Sequence, residues 1–147
     1  MIVFALRHAD RKPEPDDELS PAGVARAKLL ARMLGESGVR TAFCSSARRT
    51  QQTVEPLKAL LGNQLDIVIV DTTSANHVQE IVDGVKALPS DAVAAVVGHS
   101  DTIGPIVKRL TGRTIDPIAG HEFDKLFVLC VAPGASMVAQ TRYGEVT

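Results

Sequence analysis

Residues 2–10 read Ile-Val-Phe-Ala-Leu-Arg-His-Ala-Asp, an apolar run of strand length that ends abruptly in Arg7 and His8. A buried strand delivering an arginine and a histidine to its carboxyl end puts them where open α/β sheets bind ligands. The bland alternative is that both residues cap the strand and face solvent. Which reading holds depends on whether later segments send matching groups to the same edge.

Outward from this stretch, residues 11–18 form a charged, proline-bearing loop without apolar periodicity. Ser20-Pro21 reads as an N-cap with proline at the first helical position. The helix it opens runs to about Leu34, with Ala27, Leu30, Ala31 and Leu34 on one face and Gly35 and Gly38 as stop signals. Residues 41–45 make a second strand, and a helix begins at Ser46 or a neighbour with Val54, Leu57 and Leu61 on its face. Pro56 predicts a kink or early break in that helix. Residues 66–70 contain Ile-Val-Ile-Val, the β-branched pattern of a buried parallel strand. Val78, Ile81, Val82 and Val85 follow amphipathic helical spacing, and His77 at its start reads as a surface or capping residue. Residues 92–97 form the next strand, closing at Gly98-His99, and a helix follows from about Thr102 to Leu110. Residues 113–124 read as loop, and strands 126–131 and 137–142 flank Pro133-Gly134.

Strands alternating with amphipathic helices predict a three-layer α/β/α sandwich with a mostly parallel central sheet. The closing pair is near enough to be a hairpin, which predicts an antiparallel edge strand. No repeat, linker or low-complexity segment interrupts the pattern, so residues 1–147 read as one domain.

Composition narrows the function. A formal net charge of -1 and 3% aromatic residues argue against nucleic acid as a partner, by electrostatics and by stacking. No apolar run approaches the ~20 residues of a membrane span. Strand-like sequence from Ile2 leaves no room for a secretory leader, so the expectation is a cytoplasmic protein without a membrane partner. Cys44 and Cys130 lie in apolar runs and read as small buried hydrophobes in a reducing compartment. Oligomeric state is left open.

Three strand ends carry chemistry: Arg7-His8, then Ser45 through Thr50 with Arg48 and Arg49, then Gly98-His99-Ser100-Asp101-Thr102. Parallel strands would place all three on one edge. Two histidines and two arginines beside helix N-termini make an anion site, because backbone N–H groups and guanidinium forks both favour phosphate. Such groups supply positioning and charge stabilisation, which phosphoryl transfer chiefly needs. No glycine-rich G-x-x-x-x-G-K-[ST] loop is present, which excludes a P-loop nucleotide site.

The motifs resemble those of the histidine phosphatase superfamily, with its phosphoglycerate-mutase-like fold. Leu-Arg-His-Ala-Asp at residues 6–10 is similar to the family's Arg-His-Gly motif, with Ala9 in place of glycine. Residues 19–27 are similar to its first helix. Ser45, Arg49 and Thr53 fit the spacing of its second-arginine motif, and residues 96–102 its second-histidine motif. The resemblance implies a phosphatase that uses no cofactor and no metal. It implies that His8 attacks phosphorus and becomes phosphohistidine while Arg7, Arg49 and His99 hold the phosphoryl group. Ser45, Ser100 and His121 are further expected phosphate or substrate contacts. The glutamate that many relatives use as proton donor has no clear counterpart, which leaves Asp101 and Asp10 as candidate donors. In length and openness the chain resembles bacterial phosphohistidine phosphatases of the SixA type. The implied substrate is a phosphorylated small molecule or phosphoprotein, carrying a phosphomonoester or phosphohistidine. Two other readings compete. His8-x-Asp10 and His99-x-Asp101 could serve a metal-dependent hydrolase, and the same fold could act as a non-catalytic phospho-ligand sensor.

Overall fold

Side chains alternate along strand β1 (Ile2–Arg7), so Val3 and Ala5 enter one buried cluster and Leu6 another. The same split recurs in β2 (Thr41–Ser45), where Phe43 faces one way and Ala42 and Cys44 the other. After β3 (Asp66–Val70) comes β4 (Val93–Gly98), with Ala94 and Val96 opposed to Ala95 and Val97. Both faces of the central strands are therefore apolar, and each demands a helical layer. Helices α1 (Pro21–Leu34) and α2 (Arg48–Leu61) supply Leu30, Ala31, Leu34, Val54 and Leu57 to one side. Helices α3 (His77–Lys86) and α4 (Ile103–Thr111) supply Ile81, Val82, Val85, Ile103, Ile106 and Val107 to the other. Each such Val, Leu or Ile side chain stabilises the fold by about 1.5–3 kcal/mol on full burial. The computed structural model, which describes residues 1–147 throughout, is thus the α/β/α sandwich that the strand–helix alternation predicts.

With β5 (Lys125–Cys130) and β6 (Met137–Arg142), the six-stranded sheet has the order β3-β2-β4-β1-β5-β6, in which β3, β2, β4 and β1 are mutually parallel. Strand β5 runs antiparallel to β1, and β6 pairs with it as the expected hairpin. No helix is long and apolar enough to cross a membrane.

Three details differ from the sequence reading. Strand β3 lies at the sheet edge and leaves Val68 and Ile69 exposed, because it pairs with β2 alone. Helix α2 does not break at Pro56 and runs on to Leu61, since Val54 and Leu57 on either side of the proline are buried in the core. His77 is buried at the first turn of α3, where a surface or capping residue was expected. The α1 entry is as predicted: Ser20 accepts the Gly23 N–H at 3.2 Å. Gly23 is needed there, because a Cβ at that position would stand 1.9 Å from the Asp10 carbonyl oxygen.

Candidate active site

Strands β1 and β4 end side by side. Arg7 is in register with Gly98, and the His8 N–H donates to the Gly98 carbonyl at 2.8 Å. Strand β2 ends beside them, so Arg7-His8, Ser45 with Arg49, and His99 emerge at one edge of the sheet. Two threonines fix these turns together. Thr53 on α2 accepts the Ala9 N–H at 3.0 Å and donates to the Arg49 carbonyl at 2.8 Å. Thr102 accepts the His99 N–H at 2.9 Å.

His8 is 2% exposed. Its Nδ1 lies 2.8 Å from the Ala9 carbonyl oxygen, which can only accept, so Nδ1 carries the proton and Nε2 keeps its lone pair. Arg49 donates from Nε to that Nε2 at 3.2 Å. Arg49 also reaches His99 Nδ1 from Nη2 at 3.3 Å and the Asp17 carboxylate from Nη1. His99 Nδ1 is therefore the acceptor nitrogen, and its Nε2–H donates to Ser45 Oγ at 2.8 Å. Ser45 passes the chain on to Thr50 Oγ1, which donates to the carbonyls of Ser45 and Ala47. The two imidazoles meet edge-on with ring centroids 5.4 Å apart.

Arg7 binds differently. Its Nη1 donates to the carbonyls of Ala119, Gly120 and Glu122 at 3.2, 2.9 and 3.0 Å, and its guanidinium lies 4.0 Å above the Phe123 ring. Arg7 Nε is buried without a partner. A buried donor left unpaired costs about 1–3 kcal/mol, more for a charged group, and an oxyanion at this edge would relieve it.

Burial and a cationic surrounding keep both histidines neutral. Desolvation, opposed by the Ala9 hydrogen bond and reinforced by Arg7, His99 and Arg49, pushes His8 down to about 3. Desolvation and Arg49 push His99 down to about 4, while the Asp101 charge pulls the other way. Partial burial pushes the Asp17 carboxyl up, but bonds from Arg49 and the Arg48 N–H outweigh it and hold Asp17 below its ordinary range.

The remaining expected residues divide. Asp101 lines a cleft of about 490 Å³ together with Asp17, Ser46, Arg49, His77 and His99. Asp10 does not line it; its carboxylate accepts from Arg26 Nε at 2.6 Å, an organising contact beneath the strand end. Ser45 belongs to the His99 hydrogen-bond chain, whereas Ser100 makes no side-chain hydrogen bond. His121 is exposed on the loop whose neighbouring carbonyls take Arg7. Asp17 and His77 were not singled out for the site by the sequence. Asp17 sits in a run of charges that reads as solvated loop, and His77 signals nothing beyond its helix-start position. No three His, Cys, Asp or Glu side chains are grouped as a metal ion would require.

The family model described as histidine phosphatase superfamily (branch 1) matches residues 6–73. A protein from Nakamurella multipartitia, assigned as phosphohistidine phosphatase SixA, has a structure similar to this one at 29% identity. That match has a TM-score of 0.63 and covers 87% of this chain and 83% of the other. The Agrobacterium tumefaciens protein given the same assignment matches at 21% identity and TM-score 0.69, over 97% of this chain and 98% of its own. A protein histidine phosphatase SixA solved with tungstate matches at 20% identity and TM-score 0.76, over 97% of each chain. These last two bear on the fold alone. No curated protein matches the sequence.

Proposed function

We propose that the chain is a short member of the histidine phosphatase superfamily, similar to the SixA proteins, and that it is a metal-independent phosphatase working through phosphohistidine on His8. The observation that carries this reading is the state of His8: a neutral imidazole whose Nδ1–H is tied to the Ala9 carbonyl and whose Nε2 lone pair points to Arg49. A nucleophilic histidine needs that lone pair free of a proton.

The phosphoryl group enters between His8 and the Arg49 guanidinium, replacing the bond between them. The Nε2 lone pair attacks phosphorus, the bond to the leaving group breaks, and His8 carries the phosphoryl group. Arg49 and the unpartnered Nε–H of Arg7 hold the non-bridging oxygens. His99 takes up a proton at Nδ1 as the anion arrives and becomes a third donor, while Ser45 and Thr50 hold its ring. Water then attacks phosphorus, and the electron pair of the P–N bond returns to Nε2. Two guanidiniums and an imidazolium match the phosphate charge without a metal. Likeness to the SixA proteins supports phosphohistidine, on a small molecule or a protein, as a substrate beside phosphomonoesters.

Hydrolysis of p-nitrophenyl phosphate tests the reading. His8→Ala is expected to abolish turnover, and base-stable, acid-labile phosphate should be trapped on His8 in the wild type. EDTA should leave the rate unchanged. His8→Ala turnover within a few fold of wild type would overturn the nucleophile.

A further inference from the structure

An alkoxide leaving group needs a proton, and the phosphoryl clamp supplies none. Asp10 is held by Arg26, and the Asp101 charge supports the proton that His99 must carry. His77 remains. It is 7% exposed at the first turn of α3, and it is one of the residues lining the cleft with Arg49, His99 and Asp101. Its Nδ1 lies 2.9 Å from the Asp71 carbonyl oxygen, so Nδ1 carries a proton and the variable proton belongs to Nε2. That Nε2 is buried with no hydrogen-bond partner. A buried ring nitrogen left unpaired is costly to maintain, and a ligand group that opened onto it from the cleft would satisfy it.

Resting on the phosphatase reading above, the geometry points to His77 as the proton donor to the leaving group. As His8 Nε2 bonds to phosphorus and the P–O bond breaks, the departing oxygen takes the proton from Nε2–H of the His77 imidazolium. An alcohol leaves, and His77 is neutral. In the second half, water attacks phosphorus and gives its proton to the same Nε2, which restores the imidazolium as the P–N pair returns to His8. Imidazole suits both directions because one ring nitrogen can give up a proton and take it back. The groups around it are Asp71 on its own loop, His99 and Asp101 from the β4–α4 turn, and Asp17 and Arg49 in the rest of the lining.

The test compares wild type with His77→Asn and Asp101→Asn on an alkyl phosphate and on p-nitrophenyl phosphate, whose leaving group needs little help. Asparagine can keep the bond to the Asp71 carbonyl but has no counterpart of Nε2. His77→Asn should lose ~10²-fold in kcat/KM on the alkyl substrate and only a few fold on the aryl one. Phosphate should still be trapped on His8 from the aryl substrate, so this result is separable from failure of the nucleophile itself. Equal losses on both substrates, or none, would make His77 structural and overturn the proposal. A selective alkyl loss in Asp101→Asn with His77→Asn flat would assign the donor to Asp101 instead.

Discussion

Arg49 Nε stands 3.2 Å from His8 Nε2, so the nitrogen proposed to attack phosphorus is capped, in the free protein, by the guanidinium proposed to hold phosphate. Substrate must replace this bond with two of its own, one to each residue. A compact ammonium can supply the charge but not the fork that spans His8, His99 and Asp17. Arg49→Lys should therefore lower kcat on p-nitrophenyl phosphate by roughly 10²-fold, with a smaller change in KM. Steady-state kinetics that show less than a threefold loss would mean that charge alone suffices.

Asp17 holds the same guanidinium from the other side, with its second oxygen 2.8 Å from the Arg48 N–H at the start of α2. Its carboxylate lies where an anion would be drawn, and it is partly exposed. An ion pair of this kind is worth up to about 1 kcal/mol. Asp17→Asn should tighten inhibition by orthophosphate roughly fivefold while kcat falls, because Arg49 is freed from its competitor and also from its support. Unchanged inhibition together with unchanged kcat would remove Asp17 from the site.

The legible part of this molecule was the part written in local pattern. The apolar runs ending in Arg7-His8 and Gly98-His99 fixed strand ends, and the two-faced alternation of β1 and β4 fixed two helical layers. The β3 edge was not legible, because Ile67 to Val70 reads equally well whether or not another strand covers it. Helix continuity through Pro56 depends on Val54 and Leu57 packing against the sheet, a tertiary gain that outweighs a local penalty. Asp17 and His77 reach the cleft through the paths of two loops, and loop paths have no periodicity to read. The Asp10–Arg26 pair spans 16 residues and likewise needed the fold to reveal it.

Acid should weaken the protein through its two site histidines. In the unfolded chain both would titrate near the ordinary value of about 6.5, whereas folding lowers His8 to about 3 and His99 to about 4. Between these values the unfolded chain binds more protons than the folded one, so stability falls as pH drops below about 6.5 and the loss is complete near pH 3. Above about 6.5 neither histidine contributes a slope. Urea titrations at pH 7 and pH 4 should show a smaller difference in His8→Asn than in wild type. An equal difference would mean that His8 is not held neutral. For the same reason His8 stays unprotonated in the free protein at pH 5, and an acid limb of kcat/KM there would come from another group.

Asp10 tests the line between organising a site and working in it. Its carboxylate pairs with Arg26 at 2.6 Å, and the two side chains are 16% and 3% exposed. Arg26 also donates to the carbonyls of Tyr143 and Glu145, so it ties the strand end after His8 to the C-terminal segment. Removing the charge leaves a buried guanidinium without its counter-ion, which costs about 3 kcal/mol for such a pair. Asp10→Asn should thus lower Tm clearly, and it should slow alkyl and aryl phosphates by the same factor, because Asp10 has no path to the leaving group. Preserved Tm with a selective loss on alkyl phosphate would reverse the assignment and make Asp10 the donor.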